Sequence, residues 1–185
     1  MQLKVAIACA MLVSSISAAA QSASPTEHHH EQTSFGTEDT PQRPVALPAA
    51  ALMSLRDAND LYDSFQDCAE REGIRVGEIP ATWFVASEIR LSRAPGSGLI
   101  VRGDRPCFYG AHIVQFWVVA RSAEAYKVLF TARADALDVL RTRSNGYRDL
   151  QLIFVTQAGR YVDYVRMRYS NGEYQVSGHH LKHYN

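Results

Sequence analysis

"RYVDYVRMRYSNGEYQVSG", residues 160–178, decides the fold class. Asn171-Gly172 accepts the positive φ angles of a type I′ turn, the commonest two-residue hairpin connection. The turn separates a strand over 160–169 from a second over 173–178. In the first, Tyr161, Val165, Met167 and Tyr169 share one face, and Arg166 and Arg168 point the other way. That period of two marks an antiparallel strand with one buried face.

Moving toward the N-terminus, the same signature recurs. "DLQLIFVT" (149–156), "LDVLRT" (137–142), "AYKVLFTA" (125–132), "AHIVQFWVVA" (111–120), "GLIV" (98–101) and "ATWFVASEIRL" (81–91) are rich in β-branched and aromatic residues. Turn clusters such as "SRAPGSG" and "RGDRPCFYG" bound them. Upstream, "PAAALMSLRDANDLYDSFQDCAEREG" (48–73) places Leu52, Leu55, Ala58, Tyr62, Phe65 and Ala69 at spacings of three and four, one face of a helix. Pro48 suits its first turn and Gly73 its stop. The expected fold is α+β and mostly antiparallel β. One N-terminal helix packs on a small multi-stranded sheet assembly, in a single globular domain over 48–178.

The chain begins "MQLKVAIACAMLVSSISAAA". Lys4, an apolar run from Val5 to Val13 and the small residues Ala18-Ala19-Ala20 read as a secretory signal peptide cut near Ala20. The expected location is the periplasm or the extracellular space. The apolar run is shorter than the ~20 residues a spanning helix needs, and no span is expected in the mature chain. Cys9 leaves with the signal. Cys68 and Cys107 remain, and in an oxidising compartment one disulfide is the economical pairing, with two buried thiols as the alternative. Residues 21–47, "QSASPTEHHHEQTSFGTEDTPQRPVAL", carry three prolines and few large apolar groups, and read as a disordered linker. His28-His29-His30 within it reads as a solvated polar tract, with loose metal binding as the alternative.

Lys4 is the only charged residue of the first twenty, so the remainder carries 18 basic and 19 acidic side chains. No basic excess exists to neutralise phosphates, and nucleic acid is set aside as a partner. There is no G-x-S-x-G, H-E-x-x-H, C-x-x-C or P-loop, and no cofactor is expected. The C-terminal "GHHLKHYN" places His179 and His183 four apart, a two-ligand helical spacing, with His180 between them. A third ligand is not evident, and residues 179–185 read as an exposed tail. His112 reads as a packed or half-exposed residue.

"SNGYRDLQLIF" (144–154) poses a choice between calcium loop, catalytic carboxylate and well-built turn. Asp149 is expected to fix the turn by accepting backbone N–H bonds. Stacking 87–101 on 137–153 reveals a weak two-fold internal repeat, each copy a short strand, a polar Gly-containing turn and an apolar strand. Asn145, Gly146, Asp149 and Leu150 resemble the turn of FG-GAP/VCBS-type repeats, in which acidic groups hold calcium. Arg141, Arg143 and Ser144 occupy the earlier acidic positions here. Calcium takes about six to eight oxygen ligands, several charged, so the resemblance implies a metal-free copy. Residues 80–176 also resemble a group of exported bacterial proteins with a Cys-aromatic-Gly turn, a Phe-Trp-Val strand and an NGYRD-type turn. That resemblance implies export and no particular reaction.

Trp83, Phe84, Phe116, Trp117, Tyr126 and Phe130 lie on expected strands and read as core. Tyr147, Tyr161, Tyr164 and Tyr169, with Arg148, Arg166 and Arg168, form a candidate Tyr/Arg face, the composition of protein interfaces. The candidate binding set is Tyr147, Arg148, Asp149, Tyr164, Arg166 and Arg168. Replacing Tyr164 or Arg166 is expected to weaken a partner without much loss of stability. Three functions fit: a non-enzymatic module binding another envelope or extracellular protein, an inhibitor or immunity-type protein presenting loop 93–98 to a hydrolase, or a hydrolase using Glu88, Asp149 or a histidine.

Overall fold

The computed structural model describes residues 31–58, 63–123, 125–156 and 159–184. The expected signal peptide and His28–His30 lie outside them. Ten strands, β1 (Ser34–Gly36), β2 (Pro44–Val45), β3 (Phe84–Ile89), β4 (Gly98–Gly103), β5 (Val114–Arg121), β6 (Tyr126–Ala134), β7 (Ala136–Ser144), β8 (Tyr147–Thr156), β9 (Tyr161–Ser170) and β10 (Glu173–His183), form two five-stranded antiparallel sheets. Sheet A runs β1-β7-β8-β9-β10 and sheet B runs β2-β3-β4-β5-β6. Each is a short leading strand followed by a four-strand meander. Both Asn-Gly turns hold two positive φ angles, 48° and 86° at Asn145-Gly146 and 53° and 93° at Asn171-Gly172. That is why the β7–β8 and β9–β10 hairpins close with two residues.

In place of one helix over 48–73 there are two, α1 (Ala49–Arg56) and α2 (Ser64–Glu72). The break falls on Asp57 and resumes after Asp63, which sits at φ 44°. Asx side chains compete for backbone hydrogen bonds and favour turns over helix interiors. Trp83 belongs to a 3-10 turn, Ala81–Trp83, rather than to the strand after it.

Residues 31–47 are also not a disordered linker. Ser34–Gly36 pairs with β7 and Pro44–Val45 with β3. Arg102 clamps the crossing by donating to the carbonyls of Gly36, Thr37 and Asp39 at 2.6, 3.1 and 3.0 Å. Phe35 and Leu47 are buried. Low hydrophobicity argues for disorder when a segment must build its own core. This one borrows two existing sheet edges instead. The C-terminal end changes likewise: β10 continues to His183, pairing residue by residue with β9.

One core lies between the sheets. It contains Ile100, Phe116 and Val118 from sheet B and Leu137, Leu150, Val165 and Met167 from sheet A. The second lies on the other face of sheet B, which α1 and α2 cover. There Phe65, Phe84, Phe108 and Trp117 form an aromatic cluster with ring centroids 5.1–5.8 Å apart. Edge-on and tilted arrangements suit the ring quadrupoles. The Cys68–Cys107 disulfide ties α2 to the 3-10 turn Pro106–Phe108 beside this cluster. The layers are therefore helices, sheet B, sheet A. No helix among the described residues is long and apolar enough to cross a membrane.

Candidate functional site

The outer face of sheet A carries no covering layer among the described residues. Its side chains alternate with those of the core, so strand register assembles it. Asp138, Gln151 and Arg166 form one row across β7, β8 and β9. Ile153, Tyr164 and His180 form the next, and Val155, Val162 and Lys182 a third. Ile153, Val155, Val162 and Tyr164 are half-buried, and Arg168 is exposed.

Asp149 anchors this face. Its side chain is 2% exposed. It accepts hydrogen bonds from Thr142 Oγ1 at 2.7 Å, Ser144 Oγ at 2.7 Å and Arg166 Nη2 at 2.9 Å. The donors are side chains, not the backbone N–H groups expected of an Asx turn. The reason is the β7–β8 register shift between Val139 and Arg143, which swings Thr142 and Ser144 toward the carboxylate. Burial pushes the Asp149 carboxyl up, but bonds from Ser144, Thr142 and Arg166 outweigh it and hold the group below the ordinary carboxylate value. An ionised, fully engaged carboxylate of this kind is a structural anchor. Arg166 also donates to Thr142 at 2.8 Å, so its replacement costs stability, contrary to the expectation from sequence.

Four of the six expected binding residues meet here: Asp149, Tyr164, Arg166 and Arg168. Tyr147 and Arg148 do not. The Arg148 side chain, 8% exposed, fills the register shift. Its guanidinium donates to the Leu140 and Val139 carbonyls at 2.6 and 2.7 Å and to Glu31 at 2.7 Å. Those carbonyls lie where the ladder is interrupted, and a buried acceptor without a partner is costly. Tyr147 stacks on Tyr169 at 4.1 Å, and Tyr169 meets Tyr174 at 5.5 Å, against the inter-sheet core. The Tyr174 hydroxyl donates to the Arg148 carbonyl at 2.7 Å, and burial pushes its phenol up.

Residues not singled out in the sequence complete the face. Tyr164 and Tyr184 hydroxyls lie 3.3 Å apart, and Lys182 sits 4.5 Å over the Tyr184 ring. The bond to Tyr184 raises the Tyr164 phenol, while Tyr164 and Lys182 lower that of Tyr184. Asp138 Oδ1 and Arg166 Nε are buried and carry no hydrogen-bond partner among the described residues. The available signal was period-two alternation through 173–184, obscured by the bulge between Val176 and Gly178.

The other candidates scatter. Glu88 is on sheet B, paired with Arg121 at 3.1 Å. His112 is exposed, its Nδ1 2.5 Å from Asp135, at the one-residue corner between β6 and β7. The expected 93–98 loop, whose last residue Gly98 begins β4, is tied at its base: Ser97 Oγ accepts from Ser92 N–H, and Arg143 donates to the Leu91 and Ser92 carbonyls. His179 and His183 share a strand face, not a helix face. Four residues of strand span ~13 Å, beyond a shared metal ion. His179 faces Asp163 at 3.6 Å instead, and His183 stacks on Tyr161. No group of three or more His, Cys, Asp or Glu among the described residues could hold a metal ion.

No family model, curated protein or solved structure matches the chain.

Proposed function

We propose that this is an exported, non-enzymatic module that binds another envelope or extracellular protein through the outer face of sheet A. The observation that carries the reading is the inequality of the two outer faces. Sheet B gives its outer face to α1 and α2. Sheet A has the equivalent strand order and, among the described residues, leaves the corresponding face uncovered, with half-buried aliphatic side chains around Tyr164, Arg166 and Arg168. On this reading the sheets are two copies of one ancestral unit, as the likeness of 87–101 to 137–153 implies. A partner then takes on sheet A the place the helices take on sheet B. Tyr and Arg beside aliphatic groups are the composition of interface hot spots. The apolar leader and the disulfide support export.

The test is affinity capture from an envelope extract with the mature, oxidised protein and its Tyr164→Ala/Arg168→Ala variant, read by mass spectrometry. A stoichiometric partner lost from the variant, with Tm unchanged, is expected. A partner held equally by both proteins, or no partner, overturns the reading.

A further inference from the structure

Two hairpins turn on the same tripeptide, Ser144-Asn145-Gly146 and Ser170-Asn171-Gly172. An asparagine followed by glycine holds an electrophile and a nucleophile side by side. The glycine nitrogen, on losing its proton to water, attacks the asparagine Cγ. The new C–N bond closes a succinimide, the Cγ–Nδ2 bond breaks, and Nδ2 takes a proton from water and leaves as ammonia. A water molecule then opens the ring at either carbonyl and yields aspartate or isoaspartate. The balance is one amide and one water in, one carboxyl group and one ammonia out. Glycine suits the attack because it has no Cβ in the way.

The two turns match in several respects that bear on this reaction. Both hold positive φ angles at Asn and at Gly. Chain neighbours aside, no heavy atom lies within 4 Å of the place a Cβ would take at Gly146, and only Lys127 Nζ, at 3.7 Å, approaches that place at Gly172. A cation donates to each glycine carbonyl, Arg143 to Gly146 at 3.1 Å and Lys127 to Gly172 at 3.4 Å. Neither access nor local charge separates them.

They differ in what holds the asparagine. Asn145 Nδ2 donates to the Tyr169 carbonyl at 2.9 Å, which ties its amide to β9. The Asn171 side chain is exposed and has no hydrogen-bond partner among the described residues. The strands differ as well. β7 and β8 each have a strand on both sides, whereas β10 is the last strand of sheet A, with every residue after Tyr174 exposed. Segments with few buried contacts open locally at lower cost. Bringing Cγ onto the glycine nitrogen therefore requires Asn145 to break a bond first, while Asn171 has none to break.

We propose that Asn171 is a site of self-modification, converting to aspartate and isoaspartate through a succinimide with Gly172, and that the fold protects Asn145 from the same reaction. Breaking a hydrogen bond of ordinary net strength corresponds to about fivefold in rate, and the exposed edge adds to the difference. Either product places a carboxylate beside Glu173, and isoaspartate also lengthens the backbone of the turn by a methylene. Modification here does not depend on what the outer face of sheet A binds.

The experiment ages the mature, oxidised protein in warm, mildly alkaline buffer below its Tm. A second sample is aged in the same buffer with denaturing urea and reductant. Peptide mapping by mass spectrometry, with aspartate and isoaspartate products separated, follows each asparagine. In the folded protein Asn171 is expected to convert at least about fivefold faster than Asn145. In urea the two rates should converge, since serine precedes and glycine follows both. Equal rates in the folded protein, faster conversion at Asn145, or an intact Asn171 after the unfolded sample has converted would overturn the proposal. So would a difference that persists in urea, because the chain and not the fold would then set it.

Discussion

Replacing Asp149 with Asn tests whether the acidic residue after the Asn-Gly turn is an anchor. The substitution keeps the shape and removes the charge. The wild-type carboxylate receives three bonds of 2.7–2.9 Å while 2% exposed. Hydrogen bonds to a charged group contribute about 1.5–3 kcal/mol each. The amide retains one acceptor oxygen, and its NH₂ faces a donor it cannot satisfy. Part of the loss is offset because the neutral side chain is easier to bury. The expected net cost is about 3 kcal/mol, a fall in Tm of roughly 6–12 °C for a domain of this size. Urea unfolding of both proteins at neutral pH measures it. The folded carboxyl titrates below its unfolded value, so its contribution is complete above the unfolded value of about 3.9 and fades as pH falls through the folded one. The gap between the two proteins should therefore narrow in acid. A gap under about 0.5 kcal/mol at neutral pH, the scale of an ordinary surface change, would refute the reasoning, as would a gap that widens in acid.

Two further outcomes follow from the core. Reducing Cys68–Cys107, which closes a separation of 39 residues, should destabilise by about 4 kcal/mol in the chain-entropy model; unfolding curves with and without reductant that coincide would contradict this. Tyr174→Phe removes the donor to the buried Arg148 carbonyl and should cost about 1–2 kcal/mol, while Tyr184→Phe on the surface should fall within about 0.5 kcal/mol of wild type. Equal losses in the two variants would show that the buried Tyr174 bond contributes no more than a surface hydroxyl.

The hairpins were legible because Asn-Gly states its own backbone angles, and the core face of β9 because Val165 and Met167 alternate cleanly with Arg166 and Arg168. The helix break at Asp57 was written in the chain but outweighed by a periodic apolar pattern running through it. The strap of residues 34–45 was not legible, since its stability comes from edges supplied by β7 and β3, far away in sequence. The site divides in the same way. Tyr164, Arg166 and Arg168 could be placed on one face by counting residues. Tyr147 and Arg148 could not be excluded, because the shift in β7 that draws Arg148 inward appears only when two strands are paired.

The strap gives the molecule two unlike flanks. On one side the sheets end in β1 and β2, three and two residues long, too short to template a neighbour. On the other they end in β6 and β10, nine and eleven residues long. β1 borders only Ala136–Asp138 of β7, and β2 only Ala86 and Ser87 of β3. The longest templates for edge-to-edge contact therefore lie on the flank of β6 and β10.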